Sequence, residues 1–220
     1  MAVHYNSKIS TDGLVLALDA GNPKSYPGSG TTWTDLSGNG NTGTLVNGVG
    51  YSGDNLGSLS FDGSNDAIDV GNVNPTSGAT FSAWININGS NEGYGGIFNR
   101  WGSGGNSFWI GTLSNQSSSI QVYFNGLFVH NITSLELNTW MLLAVSHTGS
   151  NVTSYINSSQ TNTNASSLIS STGTTSIGYD INRTNYPFKG NIAQVSIYNK
   201  ALTPTEIQQN FNATRSRFSI

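Results

Sequence analysis

Residues 139–160 read TWMLLAVSHTGSNVTSYINSSQ. Met141, Leu143 and Val145 share one side of an alternating run. A polar turn with one glycine, HTGSN (147–151), follows, and Val152, Ser154 and Ile156 return at the same spacing. Period two on both sides of a short turn predicts a β-hairpin with one face toward a core. Upstream, TFSAWININ (80–88) puts Phe81, Ala83, Ile85 and Ile87 on one face of a strand and Trp84 on the other. Downstream, GNIAQVSIYN (190–199) carries Ile192, Val195 and Ile197 in a less regular alternation. Short strands are also predicted in GLVLALDA (13–20), in GSLSFDGSNDAIDVG (57–71), where a turn interrupts two of them, and in the runs GGIFNRW, SFWIGTL, SIQVYFNG and LFVHNIT. SSQTNTNASS (158–167) reads as a polar loop or an edge. Only LTPTEIQQNF (202–211) reads as helix: Thr203 is an N-cap, Pro204 takes the first helical position, Glu206 closes a capping box, and Ile207 and Phe211 form one face. On the order of a dozen short strands with closely spaced turns predict an all-β, two-sheet antiparallel sandwich of jelly-roll type with one short C-terminal helix.

Composition narrows the function classes. The chain has 220 residues, 9% of them charged, a net charge of −3 and no cysteine. It is long enough for one large core, and with 35% hydrophobic residues it is not a disordered chain. Eight Lys and Arg spread along the sequence form no basic stripe, so no nucleic-acid partner is expected. The opening MAVHYNSKISTDG lacks the pattern of a secretory signal, and no run is long enough to span a bilayer.

Several motifs, in order, carry a resemblance. FDGSNDAIDVG (61–71), TFSAWI (80–85), the hairpin above, and SIGYD through YPFKGNIAQVSIYNKALTPTEIQQNF (176–211) resemble the laminin G-like, or concanavalin A-like, jelly-roll domains. DLSGNGNTGTL (35–45) resembles the turn leading into an early strand of that family. The likeness covers residues 13–212 as one domain, leaving an arm (1–12) and a tail (213–220) outside it. The stretch GLVLALDAGNPKSYPGSGTTWTDLSGNGN (13–41) further resembles versions of the domain in tailed-bacteriophage virion proteins. The resemblance implies two stacked sheets with loop-built rims, members that bind glycans or proteins, often with calcium, and some relatives that are glycosidases.

Fold does not fix function, so each chemistry is tested on the residues. Glycoside hydrolysis needs two facing carboxyl groups. The three glutamates, Glu92, Glu136 and Glu206, have no acidic neighbour at i+2 or i+4, and no Gly-x-Ser-x-Gly elbow occurs. His4, His130 and His147 stand alone. No enzymatic activity is expected. Asp35, in WTDLSGNGN, with Asp62 and Asp66 could hold a structural calcium if their loops meet; alternatively each caps its own turn. Where the family's late strand reads Gly-x-Ile-Asp-Glu-Val, this chain has Ala193 and Gln194. No cofactor is required.

A sugar site needs aromatic faces and a few fixed polar groups. The candidates are Tyr94, Trp101, Trp109, Tyr179 and Tyr186 for stacking, with Arg100 and Arg183 for hydroxyls or carboxylates. Trp84 and Trp140 are assigned to packing. The expectation is a virion decoration protein on the particle surface, attached to capsid or tail proteins by its ends, homo-oligomeric at a symmetry axis and binding cell-surface polysaccharide. The alternative is a secreted carbohydrate-binding module or adhesin.

Overall fold

The computed structural model describes residues 8–73, 75, 78–88, 93–100, 108–114, 116–167, 173–181 and 185–220. Its strands are β1 (Leu14–Asp19), β2 (Thr32–Trp33), β3 (Gly43–Val46), β4 (Gly50–Ser52), β5 (Ser58–Asp62), β6 (Ala67–Asp69), β7 (Ala79–Ile87) and β8 (Gly95–Arg100). Then come β9 (Phe108–Leu113), β10 (Gln116–Phe124), β11 (Leu127–Ile132), β12 (Trp140–His147), β13 (Asn151–Ile156), β14 (Ser159–Ala165), β15 (Ser176–Ile177) and β16 (Lys189–Tyr198). One helix, α1 (Pro204–Thr214), and a short 3-10 turn (Arg215–Phe218) close the chain.

These form two antiparallel sheets. The first runs β14-β13-β12-β7-β16-β5-β4, with β1 also on β16; the second runs β11-β10-β9-β8-β15-β6-β3-β2. The quoted hairpin is β12–β13, paired from Leu143↔Ile156 to His147↔Val152. SSQTNTNASS contributes β14, an edge strand exposed at all seven positions. β16 is the keel of the first sheet. On one side it pairs β7; on the other its first half pairs β5 and its second half β1. The changeover falls at Ala193, where the β7 register jumps from Ile192↔Ile85 to Gln194↔Trp84. Ala20 N–H donates to the Ala193 carbonyl at 2.9 Å, so the carbonyl at the bulge keeps a backbone partner. This is the physical basis of the irregular alternation in that strand.

The sheets meet through their alternating inner positions. Phe81 of β7 is central, with ring centroids 5.6 Å from Phe98, 4.4 Å from Phe108 and 6.2 Å from Phe124 of the opposite sheet. The other face of the first sheet is covered by α1 and the 3-10 turn. Ile207 packs with Ala144, Tyr155, Tyr198 and Leu202. Phe218 stacks 4.1 Å from Trp84 and lies 4.8 Å from Trp140, and Trp84 Nε1 donates to Thr214 Oγ1 at 2.8 Å. The predicted capping box is present, with Thr203 accepting from Glu206 N–H and Glu206 Oε2 accepting from Thr203 N–H at 2.8 Å.

The described parts of the two ends set apart by sequence, 8–12 and 213–220, are built onto this face. Ser10 N–H donates to Asn210 Oδ1 at 2.7 Å, Tyr198 Oη to the Ser10 carbonyl at 3.0 Å, and Lys200 pairs with Asp12 at 2.6 Å. Arg217 pairs with Asp19 at 2.6 Å and also donates to the carbonyls of Asn55 and Gly57. The reason is apolar area: without the tail, the outward faces of Trp84 and Trp140 would meet water. With one sheet face occupied, the outer face of the second sheet is left to present a site.

Candidate functional site

Four neighbouring strands of the second sheet, β8 to β11, alternate inward and outward residues. Phe108, Ile110, Ile120, Val122 and Phe124 point into the core, which turns Trp109, Gln121 and Tyr123 outward. Registers Asn99↔Trp109, Trp109↔Tyr123 and Tyr123↔Phe128 draw one row across the sheet. A second row, Gly96↔Gly111, Gly111↔Gln121 and Gln121↔Asn131, lies beside it.

Trp109 is the hub of an aromatic cluster. Its ring centroid lies 5.9 Å from each of Tyr94, Tyr123 and Tyr186, all near edge-to-face; Tyr94 lies 5.7 Å from Tyr186, and Tyr123 5.6 Å from Phe128. Trp109 itself is 4% exposed, whereas Tyr94 is 40% and Phe128 52%. The indole therefore forms the floor, and the other rings offer the open surface. Glycine makes this geometry feasible. A Cβ on Gly111 would stand 2.6 Å from Trp109 Cζ2, and one on Gly96 would stand 1.9 Å from Asn99 Oδ1. Tyr186 is held in the left-handed region at φ 63°, its N–H bound at 2.8 Å by Asn185 Oδ1, and its carbonyl accepts Gly96 N–H at 2.8 Å. Burial pushes the Tyr123 phenol up, and the nearby Tyr94 and Tyr186 hydroxyls push it the same way.

The polar atoms beside these rings lack partners. Trp109 Nε1, Asn99 Oδ1, Gln121 Oε1 and Asn131 Oδ1 are buried without a hydrogen bond. Most buried polar groups find one; Trp33 Nε1, Asn86 Oδ1, Asn125 Oδ1, His130 Nδ1 and His147 Nε2 are likewise without one elsewhere in the fold, so the feature that sets this face apart is its exposed rings.

Of the residues singled out by sequence, Tyr94, Trp109 and Tyr186 come together. Tyr179 is half-buried and has no ring contact with the cluster among the described residues; its carbonyl accepts from Ser176 Oγ at 2.7 Å. Arg100 is turned inside, 2% exposed, with Nε and Nη2 donating to the Gly173 carbonyl at 3.1 and 2.9 Å and Nη2 also to Asn72 Oδ1. Burial lowers its pKa to about 10, which leaves it a cation, engaged with backbone rather than facing a ligand. Trp101 and Arg183 lie outside the described residues. Tyr123, Phe128, Asn99, Gln121 and Asn131 were not singled out by sequence. The alternation in SIQVYFNG would have flagged Gln121 and Tyr123 as sharing one face, opposite Ile120 and Val122.

The aspartates act as staples. The Asp35 carboxylate accepts from Ala17, Ser37 and Asn41 N–H at 2.9, 2.9 and 3.0 Å and from Ser37 Oγ at 2.7 Å. Asp62 Oδ1 accepts from Ser64 N–H at 2.7 Å, and Asp66 Oδ2 from Asp62 N–H at 2.9 Å. Burial raises the Asp66 pKa, with the Asp62 charge adding to the rise. Among the described residues no three acidic or imidazole groups gather as a metal would require. As arranged, this donor set does not fit a calcium ion, because both Asp35 oxygens are already filled by N–H and O–H groups.

A family model for the laminin G-type members of the concanavalin A-like lectin/glucanases superfamily matches residues 62–208, more than half of the chain. The chain belongs to that superfamily. No curated protein sequence matches it. Among solved structures, the fold is similar to the binding domain of Paraclostridial Mosquitocidal Protein 1, at TM-score 0.70 and 19% identity, covering 92% of this chain and 52% of that one. It is similar to domain 4 of AbnA, an extracellular arabinanase from Geobacillus stearothermophilus solved with arabinotriose, at TM-score 0.70 and 16% identity, covering 90% and 97%. Trypanosoma rangeli sialidase in complex with sialic acid also matches, at TM-score 0.71 and 14% identity, covering 94% and 34%. The superfamily member thus spans about half of the toxin domain, about a third of the sialidase, and nearly all of the arabinanase domain. At these identities the likeness is one of fold.

Proposed function

We propose that this chain is a non-enzymatic carbohydrate-recognition domain whose glycan lies on the outer face of the second sheet, against Tyr94, Tyr123, Tyr186 and Phe128. The carrying observation is the Trp109-centred ring cluster with its exposed edges. Rings of this kind supply the C–H stacking that sugar sites use. The solved binding domains with the same fold, one of them holding arabinotriose, support a binding role. The non-enzymatic reading is supported by how the described glutamates are used: Glu206 serves the helix cap and the Lys200 ion pair, and Glu136 is an exposed loop residue. The test is calorimetric titration with neutral and acidic oligosaccharides, alongside product analysis after long incubation. Tyr94→Ala is expected to weaken binding roughly three- to tenfold. Cleavage of any oligosaccharide overturns the non-enzymatic reading, and absence of binding across a broad glycan array overturns the carbohydrate reading.

The same proposal places the domain on the surface of a bacteriophage particle, held by capsid or tail proteins; the support is the resemblance of residues 13–41 to virion domains. Cross-linking mass spectrometry of intact particles tests this, with links to a capsid or tail protein expected. Absence of the chain from particles favours the secreted adhesin instead.

A further inference from the structure

We infer that the open edge of β14 is a dimer interface, where a second copy of this chain pairs antiparallel about a two-fold axis at Asn164 and the two first sheets become one. The glycan face plays no part in it. β14 ends the first sheet, and among the described residues no strand pairs with its outer edge. All seven of its positions are exposed. Sheet ends are normally guarded by shortness, charge, proline or cover. The ends β4, β2 and β11 follow that rule: β4 has three residues, β2 has two, and at β11 the Asn131 carbonyl accepts from Asn162 Nδ2 at 3.0 Å. β14, SQTNTNA, is seven residues long and holds neither a charged residue nor a proline. A bulge at Thr161 twists only its first end, and 162–165 stay in regular register with β13.

The ladder itself shows which backbone groups face outward. Ser166 N–H donates to the Ser150 carbonyl at 2.9 Å, and bonded and non-bonded pairs alternate along an antiparallel ladder. In the register Val152↔Asn164 and Ser154↔Asn162, the backbones of Asn164 and Asn162 therefore address β13, and those of Thr163 and Ala165 turn to the open edge. An axis at Asn164 sets Thr163 of each copy opposite Ala165 of the other, each pair exchanging both of its N–H and carbonyl groups. Asn164 then meets its own mate across the axis, and Asn162 meets Ser166. Self-pairing opposes every charge on an edge to a like charge nearby; this strand carries none, and its small polar side chains fit a second copy without repulsion. Pairing over one such edge buries less than a standard interface, so a dissociation constant of about 10–100 µM is expected.

Sedimentation velocity of the full chain from about 1 to 200 µM tests this, with a rise from one chain mass toward two as the expected result; a monomer throughout overturns it. Because the chain has no cysteine, single cysteines report the register. Asn164→Cys places two thiols across the axis in a non-bonded pair, with Cα atoms about 4.5 Å apart and within reach of a disulfide. Gln160→Cys leaves its two thiols about eight positions, or 26 Å, out of step along the strand. Mild oxidation should link the first variant into a covalent dimer and not the second; linkage of both, or of neither, overturns the inference. Thr163→Pro removes an outward N–H and no ladder bond to β13, so it should weaken dimerisation at least tenfold with the circular dichroism spectrum unchanged. A folded Thr163→Pro chain that dimerises like wild type sends the interface elsewhere and overturns it as well. If that variant does not fold, the cysteine pair decides.

Discussion

Single residues in this protein carry unequal weight, and Phe218 is the clearest case. It is 5% exposed, wedged between two tryptophans near the chain end. Phe218→Ala should cost about 3 kcal/mol, read as a fall in the urea midpoint with an unchanged slope. A shift below a quarter of that would show that the tail contributes little. Gly111→Ala is the matching test in the second sheet: the added methyl would stand 2.3 Å from the Gly95 carbonyl as well as 2.6 Å from Trp109, so the β8–β9 pairing must give along with the indole, and both stability and glycan affinity should drop. The two described histidines are buried inside the sandwich. His130 Nε2 lies 2.7 Å from Ser154 Oγ in the opposite sheet, and His147 Nδ1 accepts from Gly149 N–H at 2.8 Å. Desolvation lowers both pKa values below the usual histidine range. The unfolded chain therefore binds more protons below about pH 6.5, and stability should fall as pH drops from 7 to 5. A denaturation midpoint that is flat over that range contradicts this account. Residue roles of this kind were only partly legible beforehand. Trp84 reads as the outward member of an alternating strand, but its partner Phe218 comes from a tail with no pattern of its own.

At the level of elements, alternation and capping chemistry were readable because they are local. The β12–β13 hairpin, β7 and α1 all follow from spacings within a dozen or so residues. Thr203→Ala should destabilise the chain by about 1 kcal/mol through loss of the cap. Glu206 gives that cap a pH limit. Its hydrogen bond to Lys200, then those to Thr203, hold its carboxyl down at about 2. Its stabilising contribution is thus complete above the normal carboxylate range and is lost as pH falls toward 2; the helical circular dichroism signal should fade there in wild type and not in Glu206→Gln, which has no such titration. The aromatic site was less readable than the helix. It draws Trp109 and Tyr123 from two strands, Tyr94 from the segment just before β8 and Tyr186 from a returning loop, and sequence offers no measure of which strands become neighbours. Arg100 shows the reverse case: a cation next to a tryptophan suggests recognition, and its guanidinium is found donating to the Gly173 carbonyl and the Asn72 side-chain oxygen.

Across the whole molecule, the keel strand β16 imposes an order of events. β7, β5 and β1 all pair with it, and the Gln194–Asp19 bond closes a separation of 175 residues. Topologies dominated by such distant pairings fold in milliseconds to seconds rather than microseconds. Stopped-flow refolding should show that range, and a microsecond phase completing the first sheet would contradict it. The same feature has a consequence on the ribosome. At about 5–20 residues per second, LVLALD of β1 would wait roughly ten to thirty-five seconds after its own synthesis before its partner exists. Throughout that interval an apolar strand stands with both edges open, so a cell making this protein in quantity must shelter its nascent N-terminal half with chaperones or lose part of the yield to aggregation.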